Sequence, residues 1–441
     1  MTVTDAEGHV GTDALSVDVR NAAPVPSVNA PAIWVRGAPV ALSAGVTDAG
    51  LEDTFEIAWD FGDGTGLAFA PLVDVAQLHP THIWTEAGTY TVTFSVRDDD
   101  GGEALATAPV DVRRAAVLPD PGDPADDALF VGGSVGADSI FISPGWEGPG
   151  LVRVTMEGAV VGLFGPVVRV VAYGQGGADT IFISPNLFLP TQIHGGAGND
   201  ALSGGSGPDV LLGDAGSDNL VGRAGANVLI GGADADVIAG GWDQDLVIPG
   251  ATDHDDDREA LAAIAAEWAR TDATLAERVE HLTTGGGVNG DALLAAATVH
   301  DDAVADAVDG GSGLDWLFVR VDEPDRDTAE PAEPGDIVTP LSPVAAAAPE
   351  LTGSTSAAAL AASDSPTVTL TPFASLRGAT GAAGGARALR AIDLLPPALR
   401  SLTLGEVVED PSRPWQPGFS GAAEAGVLPQ IDETLTPALS G

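Results

Sequence analysis

Hydrophobic and polar positions follow three different rhythms along the chain. From Gly88 to Val96 the sequence GTYTVTFSV alternates with period two, which predicts a strand with Tyr90, Val92, Phe94 and Val96 on one face. From 195 to 248 a nine-residue pattern repeats six times without a gap: GGAGNDALS, GGSGPDVLL, GDAGSDNLV, GRAGANVLI, GGADADVIA, GGWDQDLVI. Each unit opens with Gly, carries Asp or Asn at its sixth place and an aliphatic residue at its eighth. After Asp257 the rhythm becomes helical, with Leu261, Ile264, Ala265, Trp268, Leu275, Val279 and Leu282 recurring on one face.

The nonads read as loop plus strand. Six residues too Gly-rich for helix or sheet alternate with three that favour extension, so two units close one coil. Coils stack at strand spacing, about 4.8 Å, which superposes residues eighteen apart. Leu202, Leu211, Leu220, Leu229, Ile238 and Val247 then point inward as a core that no single coil could bury alone. The same stacking aligns Asp200, Asp218 and Asp236 on one edge, and Asp209, Asn227 and Asp245 on the other. Carboxylates about 5 Å apart repel by roughly 1 kcal/mol in water and by more at lower dielectric, and a divalent cation between them reverses the sign. Carboxylates with backbone carbonyls of Gly-rich loops form a hard oxygen set that favours Ca2+ over Mg2+. Cysteine is absent and no His recurs in the run, which argues against zinc or copper.

The run resembles the RTX, or haemolysin-type, calcium-binding parallel β-roll. The resemblance implies Ca2+ as the ligand, held by Asp200, Asp218, Asp236, Asp209 and Asp245 with the loops that open at Gly195, Gly204, Gly213, Gly231 and Gly240. The first edge keeps Asp in all three coils, which gives two cation positions. On the second, Asn227 replaces a carboxylate and Arg223 brings a positive charge into the same loop, so binding between Asp209 and Asp245 is expected to be weak or absent. A later nonad, GGSGLDWLF at 310–318, offers Asp315 if it returns to stack on the coil of Asp245.

Residues 24–114 contain Trp59-Asp60-Phe61-Gly62-Asp63-Gly64-Thr65, Thr81-His82-Ile83-Trp84 and the alternating strand. This segment resembles a PKD domain, an immunoglobulin-like β-sandwich, which implies a spacer, an adhesion module or an accessory of carbohydrate-active enzymes. Its turn Asp98-Asp99-Asp100 with Glu103 offers oxygen ligands, although a solvated turn is the simpler reading. His79 and His82 have a ligand-like spacing, but His82 falls where the PKD pattern places a structural residue.

The expected fold class is therefore mainly all-β: an immunoglobulin-like β-sandwich followed by a parallel β-roll, or β-solenoid, with a small helical insert and a disordered tail. Residues 2–23 align with 95–116, so 1–23 reads as the last hairpin of a truncated PKD-like repeat, which suggests a fragment of a longer protein. Residues 24–114 form the sandwich and 115–127 a Pro- and Asp-rich linker. Residues 128–194 form a degenerate solenoid cap with half-nonads GSVGADSIF and GQGGADTIF, whose Asp138 and Asp179 lack a neighbour eighteen residues away and are poor ligand candidates. Then come the calcium-binding roll at 195–250, the helical insert and closing nonad at 251–320, and an Ala/Pro-rich tail at 321–441.

Charge sharpens this picture. The 441 residues carry a formal net charge of −46, and all 18 basic residues are Arg. Such a surface excludes nucleic acid as a partner and accumulates cations. No apolar run reaches transmembrane length, and disulfides cannot hold the fold. Glu267, Glu277, His281 and His300 match no metalloprotease or hydrolase spacing, so the chain is expected to be non-enzymatic. The reading is calcium binding in a secreted or cell-surface, adhesive or structural bacterial protein, with extracellular carbohydrate or protein as a further partner. The alternative is the accessory C-terminal region of an exported hydrolase, a protease or glycosidase with its catalytic domain upstream.

Overall fold

A computed structural model describes residues 2–4, 6–12, 21–49, 53–120, 123–148, 150–321, 326–329 and 334–341. Strands Thr2–Thr4 and Val10–Thr12 pair as an antiparallel hairpin. A five-stranded sheet follows, in the order Ile33–Val35, Glu103–Arg113, Gly88–Asp98, Phe55–Asp60, Gly66–Pro71. The alternating strand behaves as its period requires. Val92, Phe94 and Val96 are fully buried against Trp59, Phe61 and Trp84, while Tyr90 packs at the margin of that core.

Val25–Asn29 pairs with Ser43–Thr47 and Val40–Ala41 with Thr81–His82, and from Ala115 the chain winds through two nine-stranded sheets that face each other. One runs Ala115–Pro119, Asp127–Gly132, Arg169–Tyr173, Thr191–Ala197, Asp209–Ala215, Val228–Ala233, Leu246–Ile248, Trp316–Arg320, Ile337–Leu341. The other runs Ala159–Phe164, Val152–Met156, Ser139–Pro144, Thr180–Ile183, Ala201–Ser203, Asn219–Arg223, Val237–Trp242, Ala307–Ser312, Thr328–Ala329. Neighbours are parallel except for the edge strand Ala115–Pro119 and the hairpin 152–164. In the nonads the pairing is in register, with Leu202 on Leu220 and Leu211 on Leu229. Leu202, Leu211, Leu220, Leu229, Ile238 and Val247 lie in one buried core between the sheets.

Two expectations are corrected. Residues 115–127 are not simply a linker, because Ala115–Pro119 is the edge strand of the first sheet, antiparallel to Asp127–Gly132. The strands of the segment 128–194 continue both sheets, and its extra length loops out as the hairpin 152–164. Residues 321–341 are not all tail, since Thr328–Ala329 and Ile337–Leu341 add one more coil. The expectation of disorder for 342–441 lies outside the described residues.

The helical insert consists of α1 (Arg258–Trp268) and α2 (Leu275–Thr284). Asp257 caps α1 by accepting the Glu259 and Ala260 N–H groups at 3.0 Å, and Thr274 forms a capping box with Glu277. The helices bury Leu261, Ile264, Trp268 and Leu282 on Val210, Leu212, Val228, Ile230, Leu246 and Ile248. These are the outward residues of the first sheet, so the insert covers the flank of the roll and not its end. On the same sheet, Phe130, Val171 and Tyr173 pack against Val35 and Ala38 of the sandwich.

Candidate metal centre

Each coil ends its Gly-rich turn on a residue whose side chain folds back beneath the turn. The first glycine of the unit makes this possible. A Cβ on Gly195 would lie 2.5 Å from Asp200 Oδ2 and 2.7 Å from the Gly213 carbonyl oxygen; one on Gly204 would lie 2.5 Å from Asp209 Oδ2 and 2.6 Å from Gly222 O. Gly213, Gly231 and Gly240 repeat the arrangement with Asp218, Asp236 and Asp245. The space that a side chain would fill is thus bounded by carboxylate and carbonyl oxygens.

The two carboxylate oxygens divide their work. Along the first edge, Oδ1 accepts the backbone N–H of the Asp one coil earlier: Asp200 to Asp218 at 2.7 Å, Asp218 to Asp236 at 2.8 Å. The column does not stop at the nonads. Asp138 donates to Asp179 at 2.7 Å, Asp179 to Asp200 at 2.7 Å, Asp236 to Asp306 at 2.8 Å and Asp306 to Asp327 at 3.1 Å. Asp138 and Asp179 therefore stand in the same file as the nonad carboxylates, across coils of 41 and 21 residues, while Asp306 follows a coil of 70.

The second oxygen is left over. Oδ2 of Asp179, Asp200, Asp218, Asp236 and Asp306 is buried and accepts no hydrogen bond among the described residues. An ionised carboxylate only accepts, and a buried acceptor without a donor costs roughly 1–3 kcal/mol, more when charged. Burial accordingly pushes the carboxyl of Asp200 up to about 6, Asp179 to about 7, Asp236 and Asp306 to about 8 and Asp218 to about 9. Neighbouring carboxylates add to the push on Asp179, Asp218, Asp236 and Asp306. The file must take up protons or positive ions. Its donors, carboxylate and carbonyl oxygens without sulfur or imidazole, fit a hard divalent ion such as Ca2+.

The second edge is built differently. Thr191 N and Oγ1 donate to Asp209 Oδ1 at 3.0 and 2.7 Å, and Gly205 N donates to Asp209 Oδ2 at 2.7 Å, so both oxygens of Asp209 are used. Asn227 Oδ1 takes the Asp209 N–H at 3.0 Å, which leaves the donor Nδ2 where an aspartate presents Oδ2. A Cβ on Gly222 would meet that nitrogen at 2.8 Å. Asp245 accepts from Asn227 N at 3.0 Å through Oδ1, while its Oδ2 is buried without a hydrogen bond. Asp245 N in turn donates to Asp315 Oδ1 at 2.9 Å, which places the closing nonad on the coil of Asp245. The charge of Arg223 does reach this edge: it favours the ionised form of Asp209, against the burial that pushes that carboxyl up to about 7. At φ +76° the Arg223 side chain crosses the outer face of the second sheet, with the guanidinium 4.3 Å from the Phe182 ring centroid.

Other candidates find structural partners. His82 bonds Asp63 at 2.9 Å and stacks on Phe61 at 4.1 Å. Asp98 accepts from Asn21 Nδ2 at 2.8 Å and Gly102 N at 2.6 Å. Buried Glu267 receives His281 at 2.7 Å, Val288 N at 2.7 Å and Arg270 at 3.2 Å, a satisfied knot inside the insert. His300 bonds Asp253 at 2.6 Å.

Residues 21–113 match the family model of the PKD domain, and residues 192–211 and 212–247 match that of the RTX calcium-binding nonapeptide repeat (4 copies). Among solved structures, the PKD1 domain of Vibrio anguillarum Epp is similar at 29% identity and TM-score 0.17, over 21% of this chain and 98% of that one. The PKD1 domain from the Vibrio cholerae metalloprotease PrtV is similar at 22% identity and TM-score 0.15, over 21% and 98%. A search of curated proteins finds no match. Among the described residues, no helix is long and apolar enough to cross a membrane. The chain carries a PKD domain followed by RTX calcium-binding nonapeptide repeats.

Proposed function

We propose that this chain is the calcium-stabilised part of a secreted or cell-surface protein with an adhesive or structural role, in which the PKD sandwich tethers or projects the roll. The observation that carries the reading is the file of buried Oδ2 atoms that accept no hydrogen bond. Asp200, Asp218 and Asp236 form its centre, extended by Asp179 and Asp306. On the second edge the reading is confined to Asp245 with Asp315, and Asp209 contributes little because both its oxygens are used. The loops opening at Gly195, Gly213, Gly231 and Gly240 provide carbonyl oxygens and the room for an ion.

Calcium, when bound, supplies the positive charge that lets stacked carboxylates stay ionised. The chain does the rest. Oδ1 fixes the rise from coil to coil, the inward leucines hold the sheets together, and Oδ2 waits beneath the turn. Because such a set does not exist in the unfolded chain, binding and folding of the roll are linked. Both module types are typically non-catalytic accessories.

The test is a calcium titration of the full chain followed by circular dichroism and calorimetry. Strand signal is expected to rise at roughly 0.1–1 mM free calcium, the range of extracellular modules, with measurable heat. Complete β-structure in chelator, unchanged when the ion is added, overturns the reading.

A further inference from the structure

The N-terminal end of the aspartate file is closed by a side chain of the sandwich. Arg36 follows the strand Ile33–Val35 and is 4% exposed. Its backbone N–H donates to Arg113 O at 3.0 Å, and its Nε donates to Gly132 O at 2.9 Å, across the junction between sandwich and roll. Its Nη2 lies 3.9 Å from Asp138 Oδ1. Farther down the file, that Oδ1 position receives the N–H of the preceding Asp. Asp138 has no Asp before it in the file: Ser134 N and Oγ donate to its Oδ2, Glu157 hydrogen-bonds it, and the Arg36 guanidinium is the positive group beside its Oδ1.

Charges around this end are mixed. Glu157 and Asp138 lie on the roll side, Arg114 lies nearby, and Glu86, largely exposed, is 3.6 Å from Arg36 Nη1. The junction is close-fitting. A Cβ on Gly132 would strike Arg36, and one on Gly37 would come within 2.6 Å of Gln175 Cγ, whose amide bonds Thr85 O at 3.2 Å. Val35, Ala38, Phe130, Val171 and Tyr173 bury the apolar part of the contact. A repeat array needs an end that differs from its interior, and here the end is a folded domain with a fixed positive charge.

We propose that Arg36 is the resident cation of the first rung: docking of the sandwich presents a permanent positive charge to Asp138 and sets the first coil in register before any ion binds. Calcium loading then proceeds from a preformed end. Arg36 is a positioning residue in this scheme, and the scheme rests on the calcium reading of the file. Arginine suits the place because it stays charged when desolvated and still donates a directed hydrogen bond to a carbonyl.

The test uses the full chain with R36M, which keeps the stem and loses the charge, and R36K, which keeps the charge. Amide hydrogen exchange of the strands Phe55–Asp60 and Gly88–Asp98 checks that the sandwich is folded in each. R36M is expected to raise the calcium midpoint of roll folding about fivefold and to reduce its steepness, while R36K stays within about twofold of the parent. A midpoint unmoved in R36M overturns the proposal, as does R36K behaving like R36M, which would make the role one of shape and not of charge. If the parent chain shows no calcium-dependent transition, the reading of the file itself fails. Melting in chelator then decides on Arg36 separately: a lower Tm in R36M restored in R36K supports the charge cap, and equal values overturn it.

Discussion

The two edges of the roll are written in the same nonapeptide, yet only one forms an unbroken file. On the first edge, aspartates meet coil after coil from Asp138 to Asp327, and five of them keep a buried Oδ2 with no hydrogen bond. On the second, Thr191 and Gly205 use up Asp209, and Asn227 turns an N–H2 group toward the place of an oxygen. The backbone pattern is nearly the same on both. The capacity for a cation therefore lies not in the stacking of carboxylates as such but in the oxygen that stacking leaves unsatisfied. Half of each carboxylate is already committed to holding the next coil, and only the other half needs an ion.

The largest effect should come from opposing substitutions on the two edges. Asp218→Asn puts a donor at the centre of the first file and is expected to raise the calcium midpoint at least about tenfold, because ion positions on both sides lose a carboxylate oxygen. Asp209→Asn is expected to shift it less than about twofold. Titrations of both variants by dichroism make the measurement; equal shifts would erase the distinction between the edges.

Acidity should come next. The carboxyls of the first file are raised in the folded chain, to values from about 6 for Asp200 to about 9 for Asp218, above the ordinary range near 4. A group raised on folding contributes stability that is complete below its unfolded value and is lost as pH climbs through the folded one. Without calcium, the file's contribution to the stability of the roll should be complete below about pH 4 and weaken steadily from there to about pH 9, where the last of its carboxyls ionises in the folded chain. With calcium the slope reverses, because protons compete for the same oxygens. Melting curves in chelator and in calcium at pH 5, 7 and 9 would show the crossing, and parallel curves would contradict it.

The smallest effect is a gain. Asn227→Asp restores an oxygen on the second edge and is expected to add one bound calcium per chain, counted by elemental analysis after dialysis, with little change in the midpoint. An unchanged count would mean that Thr191 and Gly205, and not Asn227, are what close that edge.

Much of this was legible in the residues. The gapless period fixed which strands stack, and the eighth-place aliphatics lie inside the core that their period assigns them. What the period hid were rungs separated by longer excursions. DSIFIS at 138–143 and DTIFIS at 179–184 are nearly the same strand, and that likeness marks Asp138 and Asp179 as members of the file where spacing alone set them aside. Asp306 and Asp327 carry a weaker mark, since the strands that follow them, AVDGGS and TA, have little apolar character.

The position of the helices also had a signal in the chain. Strand segments VLL, VLI and LVI are apolar at every position, whereas ALS, NLV and VIA include smaller or polar outward residues. Strands apolar on both faces call for cover on both. The helices and the sandwich provide it on the first sheet, and Arg258 of α1 donates to Tyr173 OH at 3.1 Å beside Phe130, two residues of that sheet on which the sandwich also packs. Helical periodicity alone identifies an amphipathic insert without naming the surface it will meet.

The column tolerates departures from its own path. The chain leaves after Ile248, folds two helices and returns so that Asp306 still receives the Asp236 N–H. Register is thus indifferent to contour length, provided each excursion starts and finishes on adjacent strands. Such a scaffold can acquire or exchange lateral modules by simple insertion, and diversification of proteins of this kind need not disturb the column of aspartates on which they are threaded.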